Sequence, residues 1–163
     1  MYYGLTSLGV FHTLVSLVAL ATGIIALIKC GKIAWENQTG KIYVISTIIV
    51  CLTGFGIYQH GGFGKAHVLG IITLLTLSLA FAARNKSLGA KSPYIELVSF
   101  SATFFFHIVP TIAESATRLP LDAPLAASPD DPRIQAATGI CFLLFLIGVY
   151  FQVKKMKAKI SNS

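Results

Sequence analysis

Charge is what this chain has least of. Lys and Arg number 13 and Asp and Glu only 6 among 163 residues, so 12% of the side chains are charged while 55% are apolar. Too little polar surface is available to cover a soluble globule, and a mean hydropathy of +0.74 places the chain with membrane proteins. Cysteine is scarce as well. Cys30, Cys51 and Cys141 form no C-x-x-C, which argues against disulfide exchange and thiolate-bound metal. The first apolar run lacks both a basic n-region before it and a small-residue cleavage pattern within it, so it is expected to be retained as a helix. No internal repeat or low-complexity tract interrupts the chain, and its loops are too short for a soluble domain. An all-α fold remains: a single transmembrane helical bundle over residues 1–163.

Five stretches are long and apolar enough to be expected as spans: Leu5 to Ile28, Ile42 to Gln59, His67 to Ala83, Tyr94 to Ala113 and Ile134 to Val153. A helix crosses the hydrocarbon core with about 20 apolar residues and about 17 at the least. Ten basic residues fall on one side of these spans: Lys29, Lys32, Lys41, Arg84, Lys86, Lys91, Lys154, Lys155, Lys157 and Lys159. Lys65, Arg118 and Arg133 fall on the other. The positive-inside rule then predicts the N-terminus outside and the C-terminus cytoplasmic. The net charge of +7 reflects this retention signal and attraction to anionic lipids of the bilayer, with no need for a nucleic acid partner.

The loops fit a compact bundle. Gly61, Gly62 and Gly64 predict a tight outer turn between the second and third spans. The longest loop, Glu114 to Arg133, is outer and holds Pro120, Pro124, Pro129 and Pro132; within it Ser128-Pro129-Asp130-Asp131 predicts a helix start with Ser128 as N-cap. Tyr2, Tyr3 and Tyr58 are expected at the outer interface and Trp35, Tyr43 and Tyr94 at the inner one. Asn37-Gln38-Thr39 matches a glycosylation sequon but lies on the cytoplasmic side, where it carries no weight.

All four histidines, His12, His60, His67 and His107, fall in the expected outer half. Ionisable groups in hydrocarbon are costly and usually face the protein interior, where they mark a ligand site or a proton path. In the fourth span Thr103, His107, Thr111, Glu114 and Arg118 share one helical face, beside a kink expected at Pro110. In the first span the His12 face carries Gly9, Ser16, Ala19, Gly23 and Ala26, small residues that let another helix approach. His12, His67 and His107 are therefore expected to converge, with Glu114 near them as a carboxylate and Tyr58, His60, Thr111 and Arg118 as further polar lining.

Three imidazoles and a carboxylate suit a transition-metal ion, and two facing imidazoles suit haem b. No local motif accompanies them: H-E-x-x-H, C-x-x-C-H and an i,i+4 histidine pair are all absent. The expected function is redox chemistry or metal handling at this outer site. The alternatives are a non-catalytic scaffold or assembly factor, with a membrane-protein partner or a second copy, an outer-leaflet quinone or lipid pocket, and a zinc-dependent intramembrane hydrolase.

His12, the apolar run with Gly23, the join Gly40-Lys41-Ile42-Tyr43-Val44, Gly54 and His67 resemble a family of uncharacterised small bacterial multi-pass inner-membrane proteins. There a histidine opens the first helix and a G-x-x-Y start opens the second; the likeness covers Phe11 to Arg84. This chain has Asn37-Gln38-Thr39 where a basic, His-containing stretch would precede the glycine, so an inner-side ligand is missing here. The resemblance implies a helical bundle in the bacterial cytoplasmic membrane and supplies no activity.

Overall fold

A computed structural model of the chain describes residues 6–58 and 62–161. Five α-helices follow in order, with no strand among the described residues: α1 (Ser7–Cys30), α2 (Gln38–Gly54), α3 (Lys65–Arg84), α4 (Ser92–Arg118) and α5 (Pro132–Ser161). A short 3-10 turn at Gly89–Lys91 leads into α4. The helices containing α1, α3, α4 and α5 are long and apolar enough to cross a membrane. At 17 residues, α2 reaches only about 25 Å at 1.5 Å per residue, the least of the five.

Successive helices run antiparallel. α1 packs chiefly on α2 and α3 on α4, α2 meets α3, α1 meets α4, and α5 lies against α4 outside that ring. The α1 face that approaches its neighbours consists of Gly9, Ala19, Gly23 and Ala26, all buried, as its small-residue spacing predicted. Gly23 shows why size matters: a Cβ there would stand 2.6 Å from the Phe104 ring and 3.0 Å from Tyr43. Around this contact Tyr43, Val44, Phe100 and Leu77 form the core. The one hydroxyl in it is satisfied, since Tyr43 Oη donates to Thr103 Oγ1 at 3.0 Å.

Helix ends use the caps that their sequences offer. Thr6 Oγ1 accepts from Gly9 N at 3.1 Å to start α1, and Gly31, at φ 69°, closes it in the left-handed conformation that glycine adopts without strain. Asn37 caps α2, its Oδ1 accepting from Gly40 N at 2.6 Å, so the sequon asparagine has a structural task. The helix start expected at Ser128 falls one turn too early. Asp131 is the cap instead, accepting from Arg133 N at 2.9 Å with Pro132 in the first helical position. The hydrogen bonds from Arg133, side chain first and backbone second, hold the Asp131 carboxyl down at about 2.

The helix ends bearing most of the basic residues gather at one end of the bundle. Gln152 of α5 reaches the Gly31 carbonyl at 2.9 Å, and Arg84 of α3 pairs with Glu36 before α2 and with Glu96 of α4. At the opposite end Lys65 and Asp130 pair at 2.7 Å across two connections.

Candidate functional site

Toward that opposite end His12 and His107 are each held by hydrogen bonding to a neighbouring helix. His12 Nδ1 lies 3.0 Å from Thr53 Oγ1 on α2. The Thr53 hydroxyl proton is directed to the Ile49 and Val50 carbonyls, at 2.8 and 3.1 Å. Thr53 therefore accepts, His12 Nδ1 donates, and Nε2 keeps the lone pair. The ring rests on Gly54, where an added Cβ would come 3.4 Å from His12 Cε1.

One helical turn along α1, the Ser16 carbonyl accepts from His107 Nε2 at 3.1 Å. A carbonyl can only accept, so in the neutral ring the lone pair of His107 is on Nδ1. His107 is 7% exposed and His12 half-buried. Thr111, also on α4, donates to the His107 carbonyl at 2.8 Å. Arg118 Nε donates to Glu114 Oε2 at 2.5 Å, which ties up one carboxylate oxygen at the rim.

His67 has a separate setting. It is the third residue of α3, and its Nδ1 accepts from Gly64 N at 3.1 Å, closing the helix start as a Glu or Gln would in that position. Tyr58 and Phe63 stack on its ring at 5.2 and 5.1 Å between centroids, with Phe55 at 6.5 Å. Its Nε2 is buried without a hydrogen-bond partner among the described residues. No hydrogen bond or ring contact among those residues joins it to His12 or His107. Tyr58 is 60% exposed and belongs to this stack. His60, like Tyr2 and Tyr3, lies outside the described residues.

Of the residues expected to converge, His12 and His107 each bond to a neighbouring helix one turn apart along α1, Thr111 bonds to the His107 carbonyl and Arg118 to Glu114, while His67 stacks with Tyr58. Among the described residues no three His, Cys, Asp or Glu side chains form a group ready to hold a metal ion. The residues not anticipated from the sequence are Thr53 and the Ser16 carbonyl as partners. In an antiparallel hairpin a threonine near the end of α2 comes level with a histidine near the start of α1, and that register was the available signal.

No protein-family model matches the chain, and neither does any curated protein or solved structure.

Proposed function

We propose that the protein is a five-span integral protein of the bacterial cytoplasmic membrane, N-terminus outside and C-terminus cytoplasmic, whose outer-half His12–His107 pair binds a transition-metal ion for redox or metal handling. The observation that carries this reading is the tautomer pattern. Each imidazole donates one ring N–H to a fixed oxygen, Thr53 Oγ1 or the Ser16 carbonyl, and keeps a lone pair on the other nitrogen. Metal-binding histidines are held in this way by their outer partners. Glu114, on the same helix as His107, would be the carboxylate ligand, and it would have to exchange its Arg118 partner for the ion. A single ion suits this pair better than haem b, because the apolar groove that could take a flat macrocycle lies elsewhere, beside α5.

A second reading rests on the same two bonds. Each joins two helices, α1 to α2 and α4 to α1, as packing contacts in a scaffold or assembly factor would.

Purified protein loaded with Zn, Cu or Fe and assayed by elemental analysis separates the two. Under the metal reading Thr53→Val, which removes an outer partner and no ligand, weakens metal affinity by about 10- to 100-fold. Under the packing reading no stoichiometric metal is retained, and the same change alters only stability, by about 1 kcal/mol. A Soret band in the visible spectrum would replace the ion by haem b.

Orientation has its own test. A reporter fused after Ser163 should read cytoplasmic, and one inserted between residues 119 and 131 external, because ten of the 13 basic residues define the retained side. The reverse result would move the histidine pair to the inner half.

A further inference from the structure

A cavity of about 240 Å³ forms an apolar groove where α5 stands away from α1 over the surface of α4. Its walls include Leu27 of α1, Phe104, Phe105 and Ile108 of α4, and Leu144 and Phe145 of α5. Opposite them Gly148 leaves the groove open, since a Cβ there would meet nothing within 4 Å. α5 barely closes over it, with Ile134 as its only buried residue among those described.

One end of the groove is polar. Gln152 lines it, bonded to Ser101 Oγ at 2.8 Å and to the Gly31 carbonyl at 2.9 Å. One turn farther along α5, Met156 lines a second, smaller cavity of about 80 Å³ together with Lys32 and Glu96. Glu96 is turned to Arg84, 3.8 Å away, which leaves Lys32 as the cation at that opening. Lys29 lies in the last turn of α1, and Lys155 and Lys157 are the sequence neighbours of Met156. An apolar trough and a lysine-bearing opening thus lie one turn of α5 apart, at Gln152 and Met156, an arrangement that fits an acyl chain with an anionic head.

We propose that this groove holds an acyl chain of an anionic phospholipid, with the phosphate against Lys32 at the basic end. The groove and its mouth follow the axis of α5 in sequence, from Gly148 through Gln152 to Met156, so tail and head are served by consecutive turns of one helix. The charge of the mouth selects the phospholipid over a neutral quinone, and the openness of the groove lets a chain enter sideways from the bilayer. The inference rests on the membrane-spanning reading and not on the histidine site, which lies at the other end.

Native mass spectrometry of the protein extracted from vesicles of equal phosphatidylglycerol and phosphatidylcholine tests it. The wild-type chain should retain one phosphatidylglycerol in at least about fivefold preference, the factor expected from one lysine near the phosphate. Lys32→Gln should bring that preference close to one without removing retained lipid. Gly148→Leu should fill the groove and abolish retention, while Gly148→Ala, with room for its methyl, should keep it; the helical content of both is checked by circular dichroism. Equal retention of the two lipids by the wild type, retention by Gly148→Leu equal to the wild type, or a quinone or second copy of the chain in place of the phospholipid would each overturn the proposal. Loss of metal binding in the histidine variants would leave this result unchanged.

Discussion

Gly40→Ala should lower stability by about 2–3 kcal/mol, read as a shift in the thermal or denaturant midpoint of the detergent-solubilised protein. A Cβ at this position would overlap the Ala34 carbonyl oxygen and stand 2.8 Å from its carbon. Both are backbone atoms, so no side-chain rotation relieves the overlap. The third near atom is Asn37 Oδ1, at 2.9 Å, which is the acceptor that caps α2. Making room therefore displaces the 31–37 connection and weakens the cap together, and loss of a cap alone is worth about 1 kcal/mol. Gly139→Ala in α5 is the control. No atom lies within 4 Å of its added methyl, and alanine is the better helix former, so the midpoint should stay or rise. A wild-type midpoint for Gly40→Ala would mean that the connection is not seated on the first turn of α2.

Arg84→Met should be the next most damaging change, by about 1–2 kcal/mol. The guanidinium pairs with Glu36, ahead of α2, and with Glu96 in α4, and so fastens three parts of the basic end. Removing one partner of a buried ion pair costs about 3–5 kcal/mol, but Arg84 is 30% exposed, so screening by water reduces the figure. Methionine keeps the apolar length of the stem and leaves two carboxylates without their cation. Adding Glu36→Gln and Glu96→Gln should recover part of the loss, because neutral amides tolerate the missing cation better than charges do. If the triple variant is no more stable than Arg84→Met, then the lost stability lies in packing and not in charge.

Hydropathy revealed the helices but not their ends. α2 begins at Gln38, four residues before the apolar run, because Asn37 and Gly40 make a cap that hydropathy does not register. α4 runs from Ser92 to Arg118 where Tyr94 to Ala113 was expected, since Glu114 and Arg118 pair one turn apart and keep the polar end helical. α5 likewise continues through its lysines to Ser161. The small-residue face of α1 was legible because steric size repeats with the helical period. His107 reaches Ser16, one turn along α1 from His12.

His67 shows where depth alone falls short. In the sequence it counts to the same level as the other two histidines, but its place three residues after Gly64 turns Nδ1 back onto the helix start, and the rings of Tyr58 and Phe63 stack on it. The Glu36–Arg84–Glu96 cluster had no local signature at all. Its members come from three separate connections and helices, and in the sequence Arg84 counts only as one more basic residue on the retained side.

The pairing of α1 with α2 and of α3 with α4 bears on how the chain is made. The closest neighbours in space are also neighbours along the chain, so each pair can form as soon as its second helix leaves the ribosome, with only a short loop to close. The lighter contact between α1 and α4 then joins two finished hairpins. α5 arrives last, against an assembled surface on α4. Synthesis order and contact order coincide in this chain, and a pause during translation would leave a completed pair of helices instead of a half-formed one.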